Sequence, residues 1–331
     1  MTQKFPFMPQ RDAGGSFELN NPDDKTPVRE MFSLDDRLVF ITDKCTYCLQ
    51  VADQIDPKRE NSALPHNFQQ KLFDYGMESE LLCRTLIQAK VLFREEFQSI
   101  DITEAKRFAF EALESLIAMN EEAKRLSADE KAAVEKVGNQ GGGSRSITLP
   151  AVGNVRDRAK TYMQKADHFG LALLKIMRLF YPIAKNWDAL HDIVKTQHGE
   201  QDQFFQLSES VTPILRFFRD ARDALEHNPA NIVIKDYELQ PDGTIWLPSI
   251  AVDHRKAKHE RVSLSALMNQ GVASLSTAFE MLIVHACAKA AKPFAGMPMV
   301  IGVLPETYQK AWRVRFAYGA FYADGQFVPC G

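Results

Sequence analysis

From residue 31 onward the apolar positions of the chain recur mostly at every third or fourth place, the pattern of helices with one buried face. In Leu34 to Ile55 the set Leu38, Phe40, Ile41, Cys45, Cys48, Leu49 and Ala52 fits this period, and Asp56-Pro57 ends it. A second helix is predicted from Asn67 to Ser99 through Leu72, Leu81, Leu82, Leu86, Ala89 and Phe93. A third follows a cap at Thr103, with Glu104 in its first turn and Phe108, Leu113, Leu116, Ile117 and Leu126 on its apolar face. A fourth runs from Val155 to Thr196, carries Tyr162, Phe169, Leu173, Ile176, Phe180 and Trp187, and is kinked at Pro182. Residues 211–228 and the stretch from Ser265 to Ala291 complete the helical set.

Elsewhere the period is two, or there is none. NIVIKDYELQPDGTIWLPSI reads as two strands around Pro241-Asp242-Gly243, a turn sequence between alternating apolar runs. MVIGVL, RVRFAYGAFYA and GQFVP return to strand near the C-terminus. Residues 1–30, with Gly14-Gly15 and several prolines, read as a mobile arm. Gly141, Gly142 and Gly143 mark a flexible linker, since consecutive glycines hold neither helix nor strand and no GK[ST] follows to make a phosphate loop. The organisation expected is an arm at 1–30, a helical region at 31–127, a linker at 128–154, a helical bundle with a β-hairpin at 155–292, and a β segment at 293–331. The fold class is mainly α, an antiparallel helical bundle with small β additions after residue 228 and at the C-terminus.

With 331 residues, 45% of them apolar, the chain can bury a large core. A net charge of −3 argues against a protein that coats nucleic acid along a broad basic face, so any such contact is local. MTQKFPFMPQ lacks the apolar centre of a signal peptide and no later segment has the uncharged length of a membrane span, which predicts a cytoplasmic protein without a membrane. The five cysteines are odd in number and mostly far apart, as in a reducing compartment. Cys45 and Cys48 form a CxxC without a second CxxC or a close His pair, so the pair reads as two buried thiols rather than a zinc or redox site. No cofactor and no metal are called for.

One stretch departs from the simple amphipathic pattern. In RDALEHNP, residues 222–229, a helix wheel with Phe218 at zero places Ile214, Leu215, Ala221 and Leu225 within about 60° and Arg222 at about 40°. A guanidinium on an apolar stripe needs a carboxylate, a partner chain or an anionic ligand. His227 falls at about 180°, and Arg219, Asp223 and His227 make a ladder at spacings of four in which Asp223 can orient the imidazole. Arg222 and His227 lie about 140° apart, too far to grip one small ligand from an ideal helix. Pro229 loosens the last turn and a two-fold-related copy can supply the missing group. The alternative is a structural one: an Arg paired with a carboxylate of a neighbouring helix, and a His favoured by the negative end of the helix dipole.

The order of helical bundle, Arg, polar residue, three more residues, His at a helix end, hairpin and final helix resembles the HEPN superfamily over roughly residues 155–290. The resemblance implies that Arg222, Asp223 and His227 are the catalytic positions of a metal-independent endoribonuclease. It implies a defence or toxin–antitoxin setting, two motifs facing each other in a homodimer, and an antitoxin or regulatory protein as a further partner. It equally implies a second possibility, since inactive members serve as oligomerisation, adaptor or nucleotide-binding modules. RNA can be cut without a metal when a base takes the proton of the 2′-hydroxyl and a cation stabilises the charged phosphorane, roles suited to His227 and Arg222. Arg219 and Asn228 flank the motif as RNA contacts, and Arg255, Lys256 and Lys258 in DHRKAKHER can track an RNA backbone, although a solvated loop is the plainer reading of that run. A second Arg followed at short range by His occurs at Arg59 and His66, where Pro57 and Pro65 rule out a regular helix. His168, His191, His198 and His285 stand singly and read as structural.

Overall fold

Strands occupy much of the chain where the first helices were expected. The computed structural model describes residues 24–35, 37–138, 146–255, 257–321, 325 and 327–330. Glu30–Leu34 (β1), Arg37–Ile41 (β2), Thr46–Val51 (β3) and Asn67–Phe73 (β4) form an antiparallel sheet in that order, and only Ala52–Ile55 (α1) is helical between them. RLVFI and TYCLQV are short runs rich in β-branched and aromatic residues, and over five or six positions a helical period cannot be told from a strand. Cross-strand partners Phe40 and Tyr47 stack at 5.1 Å and share a small core with Cys45 and Leu49. Gly76 is required beside this sheet, because a Cβ there would meet the backbone of Asp43 at 2.5 Å. Asp24 is buried and accepts from the hydroxyls of Thr26, Thr42 and Tyr47; burial alone pushes its carboxyl up, but these hydrogen bonds hold it at about 2.

The described residues up to Cys83, with Tyr308–Arg313, make one compact unit, and those from Arg84 to Thr307 and from Val314 onward make another. Helix begins at Glu80–Leu82 (α2), passes through a π turn at Cys83–Ile87 and ends in Gln88–Leu92 (α3), well short of Ser99. Ile102–Val137 (α4) is capped by Asp101 rather than Thr103, the carboxylate accepting from Glu104 N at 2.9 Å. It continues past Ala128, so the first third of the expected linker is helix. Residues 139–145, with the three glycines, lie outside the described residues, as do residues 1–23 of the expected arm. Val155–Phe180 (α5) and Trp187–His198 (α6) are separate helices, not one kinked rod. Pro182 cannot donate to the helix ladder, and Arg178 fills the break by donating to the carbonyls of Ala184 and Lys185 at 2.7 and 2.5 Å.

Gln203–His227 (α7) follows, then a 3-10 turn at Pro229–Asn231. The Pro241-Asp242-Gly243 turn joins only the short Glu238–Leu239 (β6) and Ile245–Trp246 (β7). The larger sheet is built from Ile232–Lys235 (β5), Ser249–His254 (β8) and Ala257–Ser263 (β9) in the order β5-β8-β9. DHRKAKHER is therefore the β8–β9 hairpin and not a loop, a register that the alternation of its buried and exposed positions permits. Leu264–Lys289 (α8) is long and apolar enough to cross a membrane, yet most of it is buried in this unit. Phe279 of α8 meets Phe169 of α5, Tyr162 of α5 meets Phe218 of α7, and the Tyr162 hydroxyl donates to Met268 O at 2.6 Å. Each such fully buried apolar side chain stabilises by about 1.5–3 kcal/mol, and α4, α5, α7 and α8 pack together in this way as a mainly α bundle. Val300–Val303 (β10), Glu306–Trp312 (α9), Phe316–Phe321 (β11) and Phe327–Pro329 (β12) complete the chain, with β10-β11-β12 as an antiparallel sheet.

Candidate functional site

Asp202 starts α7, its side chain accepting from Phe204 N at 2.8 Å, and Pro229 stops it by denying helical geometry to Asn228. Between these ends Phe204, Val211, Leu215, Phe218, Ala221 and Leu225 are buried, which fixes the azimuth of every other side chain on the helix. Arg222 lies at the margin of this stripe, half-buried, as the wheel placed it. Its Nε and Nη2 approach one oxygen of Asp167 on α5 at 3.3 and 3.2 Å, and its Nη1 donates to Glu226 Oε2 at 2.9 Å. The guanidinium thus has the carboxylate of a neighbouring helix that the structural alternative required. Asp167 is itself buried, and Glu226 is steadied from the other side by Gln164 Nε2 at 2.7 Å. That hydrogen bond from Gln164, with the charges of Arg222 and Lys160, holds the Glu226 carboxyl below its usual range against the opposing effect of burial.

His227 is the last residue of α7 and its side chain is 65% exposed. Its Nε2 lies 3.8 Å from Glu226 Oε2, the same oxygen that Arg222 holds. The two candidate residues are not in contact, but they converge on one carboxylate oxygen in spite of the wheel angle, because the side chain of Glu226 lies between them.

Asp223 does not orient His227. It accepts from His254 Nε2 at 3.0 Å and from Arg255 Nη2 at 2.9 Å, and these, the His254 hydrogen bond first, keep its carboxyl below the usual range. His254 is buried, and its Nδ1 faces Asn231 Nδ2 at 3.0 Å. An amide nitrogen only donates, so Nδ1 accepts and the ring proton sits on Nε2, pointing at Asp223. The β8–β9 hairpin is therefore pinned to α7 by a hydrogen-bonded carboxylate that the sequence reading had assigned to another imidazole. Arg255, at the hairpin tip, has φ 52°, an uncommon backbone for a residue with a side chain, and is 3.9 Å from Asp220 as well.

The fold thus brings Arg255 to the motif on α7. Lys258, on β9 and 75% exposed, pairs with Asp253 at 3.5 Å, Arg219 is exposed on α7, and the Asn228 backbone closes the helix end. Lys256 lies outside the described residues. Sequence reasoning did not bring Gln164, Asp167, Glu226 or His254 into the site. The spacing of Gln164 and Asp167 puts them on one face of α5, but nothing local says that this face meets α7.

Other expectations fall elsewhere. Cys45 and Cys48 are buried thiols, Cys48 on β3 and Cys45 just before it rather than on a helix, and burial pushes Cys45 up. His191 hydrogen-bonds Ser208, His198 meets the Tyr181 hydroxyl at 3.1 Å and His285 stacks on Phe204, all inside the fold, whereas His168 is exposed. Among the described residues no three His, Cys, Asp or Glu side chains converge as metal ligands. No protein-family model, no curated protein and no solved structure matches this chain.

Proposed function

We propose that the chain is a metal-independent endoribonuclease of the HEPN type, a toxin-like or antiviral effector that acts in the cytoplasm as a symmetric homodimer on RNA, held in check by an antitoxin or regulatory protein. The observation that carries this reading is the oxygen shared by Arg222 and His227: Glu226 Oε2 sits 2.9 Å from the guanidinium and 3.8 Å from the imidazole, where a non-bridging phosphate oxygen would sit in its place. Arg222 then stabilises the phosphorane through paired N–H donors. His227 takes the proton of the 2′-hydroxyl, the 2′-oxygen attacks phosphorus, and the 5′-oxygen leaves with a proton from the protonated His227 of the partner subunit, giving a 2′,3′-cyclic phosphate. Asp223 serves by anchoring the hairpin that carries Arg255, not by fixing a tautomer of His227.

A second reading is favoured by one specific contact. Asp167 is buried and already neutralises Arg222, which gives that arginine a structural task such as an inactive HEPN-like adaptor or oligomerisation module would retain. The deciding experiment is cleavage of cellular RNA by the purified chain in EDTA. Cyclic or 3′-phosphate ends are expected, with resistance of DNA and with losses on the order of a hundredfold in Arg222→Ala and in His227→Ala. Arg59→Ala and His66→Ala should cleave like wild type. Cleavage that survives both α7 substitutions rejects the mechanism, and no cleavage at all selects the adaptor.

A further inference from the structure

Helix α5 carries a second feature that neither the motif nor the mechanism uses. A groove of about 610 Å³ runs between α4 and α5, with Lys165, His168, Lys175 and Arg178 on its α5 wall and Glu111 and Glu114 on its α4 wall. Its α5 wall is continuous with the Arg222 site. At 100° per residue, Lys160, Gln164, Asp167, His168, Leu171, Lys175 and Arg178 fall within an arc of about 100°, so one stripe of α5 both holds Glu226 and Arg222 and lines the groove. From Asp167 to Arg178 this stripe extends about 16 Å, the length of a few nucleotides.

The charges on the stripe are arranged for an anionic chain. Lys160 is exposed and acts on Glu226 through its charge. Arg178 spends its donors on the carbonyls of Ala184 and Lys185, which are neutral, so its positive charge is not cancelled. Lys165 acts through its charge on Glu114 across the groove. Lys175 pairs with Glu111 at 2.9 Å, but Glu111 is shared with Arg107 at 2.7 Å. The groove's own carboxylates, Glu111 and Glu114, stand on the opposite wall, and Asp167 on the stripe is buried against Arg222, so a phosphate backbone is favoured along α5, and Leu171, 48% exposed, offers an apolar surface to a base.

We propose that this face of α5, from Lys160 to Arg178, is the track that binds single-stranded RNA on one side of the Arg222 site. The proposal rests on the ribonuclease reading and adds where the strand lies. The test is fluorescence anisotropy of the full chain with a short, uncleavable single-stranded 2′-O-methyl RNA over a series of salt concentrations. The double variant Lys160→Ala with Lys175→Ala should bind about tenfold more weakly, and its slope of log affinity against log salt should flatten by about 1.4, the share of two phosphate contacts. Melting followed by circular dichroism establishes that the variant is folded, and Lys44→Ala with Lys58→Ala should bind as wild type. Unchanged affinity and slope in the α5 variant, while wild type binds and cleaves, overturns the track and leaves the nuclease intact. An equal loss in the Lys44/Lys58 control, or equally tight binding of polyglutamate, also overturns it. A wild-type chain that neither binds nor cleaves RNA overturns both.

Discussion

Two arginines of the bundle each stand between two carboxylates, and they differ in what surrounds them. Arg158 on α5 is 16% exposed and meets Glu122 and Asp129, both on α4, at 2.7 Å. Arg222 on α7 is 31% exposed, meets buried Asp167 at 3.2 Å, and makes its one short contact to Glu226 on its own helix. A same-helix pair of that kind contributes about 0.3–0.5 kcal/mol at a helix surface, and with both side chains only half-buried it stays open to exchange for a ligand. Arg158 ties two helices together and has no imidazole beside it among the described residues, whereas Arg222 shares its Glu226 oxygen with an exposed His227. Being flanked by carboxylates is therefore an ordinary condition for a guanidinium in this bundle. Looseness, exposure and a neighbouring titratable ring make Arg222 the candidate for chemistry.

The comparison breaks most directly on stability against activity. Arg158→Ala strands Glu122, which is 14% exposed, and is expected to lower stability by about 3 kcal/mol in urea unfolding while EDTA-resistant cleavage stays within a factor of about two of wild type. Arg222→Ala strands Asp167, 7% exposed, and so costs stability as well, but unlike Arg158→Ala it should carry the hundredfold loss of cleavage given above. Equal effects of both on cleavage would mean that the two clamps are alike and that Arg222 has no special role.

A smaller effect sharpens the contrast from the carboxylate side. Glu226→Gln removes the charge that occupies the oxygen position between Arg222 and His227, and it should tighten binding of the uncleavable RNA about threefold to tenfold, since a displaced competing anion no longer opposes the phosphate. Asp129→Asn, its counterpart beside Arg158, should leave that affinity unchanged. No gain in Glu226→Gln would show that the phosphate does not take the place of this carboxylate.

The smallest effect is a slope with pH. Glu130 on α4 is nearly buried and has one oxygen, Oε1, without a hydrogen-bond partner among the described residues. Burial pushes its carboxyl up, against the lowering effects of Ser265 and of the same Arg158. A carboxyl raised in the folded state stabilises most below the ordinary carboxylate range, and that stability is lost as pH rises through the raised value. Glu130→Gln should therefore flatten the decline of urea stability above the ordinary range and be the more stable protein at neutral pH. Asp24, held at about 2, has the opposite sign: its contribution is present above the ordinary aspartate value and is lost as pH falls towards 2.

What the sequence determined by itself is local. Pro229 after α7, the Pro241-Asp242-Gly243 turn and the apolar stripe that puts Arg222 at its edge depend on neighbours a few residues away, and the structure keeps all three, although α7 begins at Gln203, ahead of the 211–228 expected. Short apolar runs such as RLVFI were not decided locally, because five residues satisfy both periods and only pairing with the next strand selects one. The composition of the site was also beyond local reach. A helix wheel sets the direction of Arg222, Asp223 and His227, but not which elements arrive there. Packing around α8 brought Asp167 and Gln164 to Arg222 and Glu226, and the β8–β9 hairpin brought His254 to Asp223. Those partners lie between 31 and 62 positions away in the chain, and contacts over such distances are selected by the burial of whole faces rather than by any residue near the motif.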